Sequence, residues 1–190
     1  MTRADETAQR ELIRRAQHGN TDAFGQLVTQ YQQAVYNIAY RLIGNRQEAE
    51  DVAQEAFIKT YQALDRFDAQ RPFTPWLYRI ATNTALNRIK RRRPEIELDE
   101  EVAPASATPN PEAQAITAET AEWLRAAIAD LPPNYRAAIE LRHFQGLSYR
   151  EMSEALDVPL SDVKSWLFRA QRRLQGKLQK TLAKEQANEK

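Results

Sequence analysis

The stretch Ser148–Leu174, SYREMSEALDVPLSDVKSWLFRAQRRL, decides the fold class of this 190-residue chain. Ser148 followed by Glu151 is a capping box, in which a hydroxyl and a carboxylate three residues apart satisfy free backbone amides at a helix start. The short helix it opens turns Met152, Ala155 and Leu156 inward. Asp157 to Leu160 reads as a tight turn, and Ser161 or its neighbour starts a longer, basic helix. In that helix Val163, Leu167, Ala170 and Leu174 recur at helical spacing and must pack inward. Ser161, Ser165, Phe168, Arg169 and Arg172 therefore point away from the core. A short helix, a four-residue turn and a longer basic helix form the layout of a helix-turn-helix. Two hydroxyls, two arginines and a phenylalanine suit phosphates, base edges and thymine methyls in a major groove.

Upstream the pattern stays helical. There are only five glycines, and no segment sustains the alternation of a strand. One helix runs to about Gln17 and stops at Gly19. A second starts near Thr21 and aligns Phe24, Leu27, Val28, Tyr31, Val35, Ile38, Ala39 and Leu42 on one face, with Gly44 placed to close it in a left-handed cap. Asn45 and Glu48 resemble a second capping box. The third helix, about Arg46 to Asp65, buries Ala49, Val52, Ala53, Ala56, Phe57, Tyr61 and Leu64. Its flank carries Asp51, Gln54, Glu55 and Ile58 at i, i+3, i+4 and i+7. Periodicity leaves two readings of that flank: an ordinary acidic surface with one exposed Ile, or a docking face for a basic partner helix.

Pro72 and Pro75 break the helical rhythm between Arg66 and Pro75, which predicts a loop exposing Phe67 and Phe73. Then comes WLYRIATNTALNRIKRRR, Trp76–Arg93, with six basic side chains and no acidic one. Aromatic rings stack on bases and cations seek phosphates, so this helix offers both halves of a nucleic-acid surface. The same residues also suit a plainer role, because an apolar stripe packs a core and cations complement a helix C-terminus. Pro94 ends the helix.

Charge is sorted along the chain. Lys plus Arg number 27 against 26 Asp plus Glu, a net +1, yet residues 94–112 hold six acidic side chains and no basic one. Pro159 to Lys184 holds seven Lys or Arg against Asp162 alone. Two basic islands separated by an acidic, Pro- and Ala-rich stretch imply two nucleic-acid contacts joined by a linker that avoids them. The second half restarts near Thr117 with a helix carrying Trp123, Leu124, Ala127 and Ile128. Leu131-Pro132-Pro133 breaks it, and Pro133 opens a further helix to about Phe144. The chain has length for one medium core or two small ones, and the sequence favours two.

The absence of cysteine excludes disulfides and Cys-based zinc sites, and His18 and His143 have no ligand partner at useful spacing. No metal or other cofactor is expected. No apolar run approaches the length of a membrane span and the polar N-terminus lacks a signal-peptide core, so a cytoplasmic protein without membrane insertion is expected.

Four segments in order resemble one family, the extracytoplasmic-function (ECF, group IV) sigma factors of the sigma-70 family. DAFGQLVTQYQ from Asp22, EDVAQEAFIKTYQALDRF from Glu50 and TPWLYRIATNTALNRIKRRR from Thr74 are similar to successive parts of the family's region two. LPPNYRAAIELRHFQGLSYREMSEALDVPLSDVKSWLFRAQRRL from Leu131 is similar to region four. The resemblance implies an all-α chain of two small helical domains: region two over 1–94, an acidic flexible linker over 95–115, region four with its helix-turn-helix over 116–182, and a disordered tail over 183–190. It implies that Asp51, Gln54, Glu55 and Ile58 dock on the largest-subunit coiled coil of bacterial RNA polymerase core, with the flap as a further contact. Lys59, Phe67, Phe73, Trp76, Tyr78, Arg79, Asn83, Arg88, Lys90, Arg91 and Arg92 become candidates for minus-ten promoter DNA. Within that set, the Arg66–Pro75 loop and Asn83 match a pocket for a flipped base, and Trp76 and Tyr78 divide between packing and DNA. Ser161, Lys164, Ser165, Phe168, Arg169 and Arg172 become candidates for the minus-thirty-five duplex.

Region four departs from the pattern at Ser161-Asp162, where Gly-Thr is usual, and at Trp166, where a basic residue is usual. Asp162 suits a helix N-terminus but repels phosphate, and Trp166 sits about sixty degrees from Val163 on the helix, at the core edge. The implied function is an alternative sigma factor without catalytic activity, cytoplasmic, at the nucleoid in holoenzyme or held at the membrane by an anti-sigma partner. A helix-turn-helix activator that is not a polymerase subunit is the alternative, and it leaves Glu50 to Arg93 without a purpose.

Overall fold

Asn20 begins the first long helix by accepting the Ala23 N–H through its side-chain oxygen at 2.8 Å, just after Gly19 reverses the chain at φ +84°. A computed structural model describes residues 3–92 and 118–188, with side chains described over 7–92 and 123–181. The element order is α1 (Arg3–Gln17), α2 (Thr21–Ile43), α3 (Arg46–Ala63), a 3₁₀ turn (Leu64–Arg66), α4 (Phe73–Arg92), α5 (Ala118–Ala129), α6 (Pro133–Ile139), a π-helical turn (Glu140–Phe144), α7 (Tyr149–Leu156) and α8 (Leu160–Asn188). No strand occurs among the described residues. The linker expected over 95–115 lies outside them.

The caps fall where side-chain chemistry places them. Gly44 closes α2 at φ 78°, its N–H reaching the Tyr40 carbonyl at 2.8 Å. Asn45 accepts the Glu48 N–H at 3.1 Å to start α3. The reciprocal half of the expected box is replaced, because the Glu48 carboxylate turns instead to Arg92. The box at Ser148 is complete: its N–H donates to Glu151 Oε2 at 2.7 Å, and its hydroxyl oxygen accepts the Glu151 N–H. Asp157 ends α7 at φ 57°, the only positive φ outside glycine among the described residues. Ser153 holds this turn by donating its hydroxyl to the Val158 carbonyl at 2.6 Å.

Three expectations are corrected. Helix α4 begins at Phe73, with Pro75 inside its first turn, where a missing N–H costs nothing. Phe67 and Phe73 are consequently buried, not exposed, in an aromatic cluster where Phe67 meets Phe73 edge-on at 5.6 Å between ring centres and lies 4.5 Å from the Trp76 ring. On α3, Tyr61 is 43% exposed and rests edge-on against Phe24, and Thr60 takes the inward position with its hydroxyl on the Ala56 carbonyl. Helix α8 runs on to Asn188, past residue 182, through a segment rich in Lys, Gln, Ala and Glu that favours helix.

The core is continuous. Leu27, Val35, Ile38 and Leu42 of α2, Val52 of α3 and Leu77 of α4 belong to the same buried cluster as Leu141, Met152 and Val163. It joins the two halves because α4 packs against α7 and the end of α2 against α6.

Candidate nucleic-acid interface

Helices α3 and α4 lie side by side, and their facing charges alternate in sign. Glu55 receives Lys59 Nζ at 2.7 Å and lies 3.7 Å from Arg88 Nη2. Two turns earlier on α3, Glu48 pairs with Arg92 of α4. Lys59 also donates to the Thr84 hydroxyl at 3.3 Å. The basic run lacks acidic neighbours in sequence but meets them in space on α3. The hydrogen bond from Lys59 holds the Glu55 carboxyl below its ordinary range against an opposing effect of burial, with the charges of Lys59, Arg88 and Arg91 adding to the depression.

Asp51 and Gln54 are exposed on the outer flank of α3, and Ile58 is 58% exposed beside them. With Tyr61 one turn on, this gives an apolar pair bordered by polar side chains. On α4, Asn83 is half-buried and Lys90 and Arg91 are exposed. Trp76 is half-buried against the core and Tyr78 is buried. Burial, with the nearby Tyr31 and Glu140, pushes the Tyr78 hydroxyl up to about 12. Arg79 is engaged by Asp157 Oδ1 at 3.1 Å, across the two halves of the chain.

On α8 the expected inward stripe is buried: Val163, Leu167 and Ala170 are 4% exposed or less, and Leu174 packs at the edge. Ser161, Lys164 and Arg172 are exposed, and Ser165 and Phe168 are half-buried. Arg172 lies over the Phe168 ring at 5.9 Å and Arg169 Nη1 reaches the Tyr135 hydroxyl at 3.4 Å. Trp166 packs against the core, as its position beside the stripe implies. Ser161 donates to Asp162 at 3.3 Å, so the hydroxyl is tied to the carboxylate at the helix start.

One group of residues escaped the sequence reading. Glu140, 2% exposed in the π-helical turn, accepts Arg41 Nη1 at 2.9 and 3.0 Å on its two oxygens and Gln145 Nε2 at 2.8 Å. Burial pushes its carboxyl up, while Gln145 and Arg41 draw it down. The Arg41 guanidinium also covers the Phe144 ring at 3.8 Å. Arg136 donates to the Leu42 carbonyl at the end of α2, an acceptor the helix itself leaves open. The available signal was a carboxylate, Glu140, set between Ile139 and Leu141 in an otherwise apolar segment.

Among the described residues no cluster of three or more His, Cys, Asp or Glu side chains is placed to share a metal ion, and no helix is long and apolar enough to cross a membrane.

Residues 27–95 match the family described as Sigma-70 region 2, and residues 121–174 the family described as Sigma-70, region 4. The chain is 36% identical over 179 residues to the ECF RNA polymerase sigma factor SigW of Bacillus subtilis, covering 89% of this chain and 96% of that one. It is 38% identical over 178 residues to the ECF RNA polymerase sigma-E factor of Escherichia coli, with coverages of 88% and 93%. Among solved structures it resembles CnrH in complex with the cytosolic domain of CnrY, at a TM-score of 0.67 and 28% identity over 90% of this chain and 97% of that one.

Proposed function

Because this chain belongs to the ECF RNA polymerase sigma factors, we propose that three separate surfaces divide the work of promoter recognition. Asp51, Gln54, Glu55 and Ile58 on α3 dock on the largest-subunit coiled coil of core polymerase. Lys59, Asn83, Arg79 and the basic end of α4 (Arg88, Lys90, Arg91 and Arg92) receive melted minus-ten DNA. The outer face of α8, with Lys164, Ser165, Phe168, Arg169 and Arg172, reads the minus-thirty-five duplex. Phe67, Phe73, Trp76 and Tyr78 serve this scheme as the packed floor under α4, since three of them are buried and the fourth leans on the core.

The observation that carries the polymerase assignment is the α3 flank. An Ile that is 58% exposed loses favourable burial unless a partner covers it, and here it stands beside the exposed Asp51 and Gln54. Such a surface suits a partner helix that is basic with an apolar stripe. Phosphate contacts by α4 and α8 would position the DNA, and the base contacts of α8 would supply sequence. An anti-sigma partner is part of this reading, supported by the likeness to CnrH, which was solved bound to the cytosolic domain of CnrY. Action in the cytoplasm follows from the role.

Reconstitution with core polymerase tests the proposal. The wild-type chain should co-elute with core enzyme and direct initiation from genomic fragments whose mapped start sites share upstream elements. Asp51→Lys with Glu55→Lys should abolish co-elution while leaving helicity unchanged. Co-elution that survives this double reversal of charge overturns the docking assignment, and promoter stimulation without any co-elution favours a free activator.

A further inference from the structure

Tyr135 belongs to α6, outside the helix-turn-helix, yet it meets two arginines of α8. Its hydroxyl accepts Arg169 Nη1 at 3.4 Å, and its ring lies under the Arg173 guanidinium at 5.7 Å. Arg169 and Arg173 stand one turn apart on α8, so a single tyrosine serves a row of two cations. The neighbouring row has an aromatic support of its own, with Arg172 over the Phe168 ring at 5.9 Å.

Arg169 is the more constrained of the pair. It is half-buried, and its Nε is shut off from solvent with no hydrogen-bond acceptor among the described residues. Nη1 rests on Tyr135 and Nε is enclosed, which leaves Nη2 for a ligand. Helices α6 and α8 pack together and each buries apolar side chains of its own, so neither needs a hydroxyl at Tyr135 for packing. An arginine loses rotamer freedom when it binds, and a guanidinium already held loses less. Reading a base edge requires a fixed fork, whereas a phosphate accepts a mobile cation.

We infer that Tyr135 is a positioning residue for the minus-thirty-five contact: its hydroxyl presets Arg169 for a base edge, and its ring steers Arg173 toward the adjoining phosphate backbone. This rests on the sigma-factor reading for what α8 binds, and it adds a residue outside the recognition helix to the determinants of sequence. Tyr135 touches no base in this scheme. It acts through the two arginines.

Holoenzyme reconstituted with the full chain provides the test, on a promoter duplex located by mapped start sites with each upstream base pair replaced in turn. Tyr135→Phe removes the hydroxyl and keeps the ring. It should weaken promoter binding by roughly two- to tenfold, as expected for releasing one rotamer-rich side chain, with the melting temperature unchanged. Base discrimination should fall at the same base pair where Arg169→Ala loses it. In an Arg169→Ala background, Tyr135→Phe should cost less than about twofold, because the partner it acts through is gone. Tyr135→Leu removes the ring as well, and should weaken binding further and flatten the salt dependence as Arg173 loses its phosphate.

Affinity and base preference untouched by Tyr135→Phe, in a chain where Arg169→Ala impairs both, overturn the role of the hydroxyl. An undiminished cost of Tyr135→Phe in the Arg169→Ala background overturns it too, because Tyr135 would then act by itself or through the fold. Tyr135→Leu binding as well as Tyr135→Phe overturns the steering of Arg173. A chain that forms no promoter complex, or whose binding ignores Arg169→Ala, overturns the assignment of α8 to DNA and the positioning role with it.

Discussion

Helix α4 carries aromatic and basic residues, and so does α8, but the cations of the two helices meet different neighbours. Arg79, Arg88 and Arg92 of α4 each pair with a carboxylate, two of them from α3 and one from α7. Among the described residues no carboxylate lies within ion-pair distance of Lys164 or Arg172 of α8, and Arg172 rests on an aromatic face instead. A phosphate approaching Arg79, Arg88 or Arg92 must displace an acid, whereas one approaching Arg172 displaces only a ring. The difference teaches that a basic run measures available charge only after its spatial partners are known. It also separates two tasks: Arg79, Arg88 and Arg92 brace α4, whereas α8 displays Lys164 and Arg172 and commits Lys177 to Asp130.

The largest effect comes from breaking each helix at its buried face. Leu77 of α4 is fully buried and Leu167 of α8 is 4% exposed. Truncating either to Ala should cost about 2–5 kcal/mol, lowering the melting temperature by roughly 2–4 °C for each kcal/mol in a chain of this size. A Trp76→Phe background leaves Trp123 and Trp166, so fluorescence then reports the second half alone. If the continuous core couples the halves, Leu77→Ala should shift that fluorescence transition together with the loss of helicity. A second-half transition indifferent to Leu77 would break the continuity, and adding Arg41→Ala should produce that uncoupling deliberately.

The bracing of α4 could not be read along the chain, for a physical reason. Caps and stripes are local: Ser148 with Glu151, Gly44 after α2, and Val163 with Leu167 and Ala170 each signal within one or two turns. The same locality made the buried stripe of α8 readable. Arg41 and Glu140 stand 99 positions apart, and Arg88 meets Glu55 through the packing of two helices. Neither pairing leaves a period. Phe67 and Phe73 would be exposed if Pro75 ended an irregular segment, but Pro75 sits inside the first turn of α4 and both rings are buried. Tyr61 and Thr60 are neighbours along the helix, and it is Thr60 that faces inward.

A smaller effect tests the contrast between braced and displayed cations directly. On a promoter located by mapped start sites, Arg172→Ala should weaken holoenzyme binding by about 1–3 kcal/mol, some 5- to 150-fold, and flatten the salt dependence. Arg88→Ala should cost less, because Arg88 must first surrender Glu55, an interaction worth about 0.2–1 kcal/mol for such exposed partners. Equal losses would mean that the ion pairs of α4 are too weak to matter against DNA. A greater loss at Arg88 would reverse the assignment of tasks.

The smallest effect isolates the brace itself. Glu55 accepts Lys59 and faces Arg88, and its carboxyl lies below the ordinary value of 4.5. A depressed carboxylate binds fewer protons folded than unfolded, so its stabilisation is complete above pH 4.5 and is lost as pH falls through the depressed value. Its side chain is 37% exposed, and solvent screening confines the gain to about 0.2–1 kcal/mol. Glu55→Gln should therefore lower the melting temperature by roughly 0.4–4 °C at pH 6. The gap to wild type should narrow as pH is taken below 4.5, and salt should shrink it at pH 6. A gap that stays constant with pH would show that Gln is penalised for shape and not for charge, and the carboxylates of α3 would then be bystanders to α4.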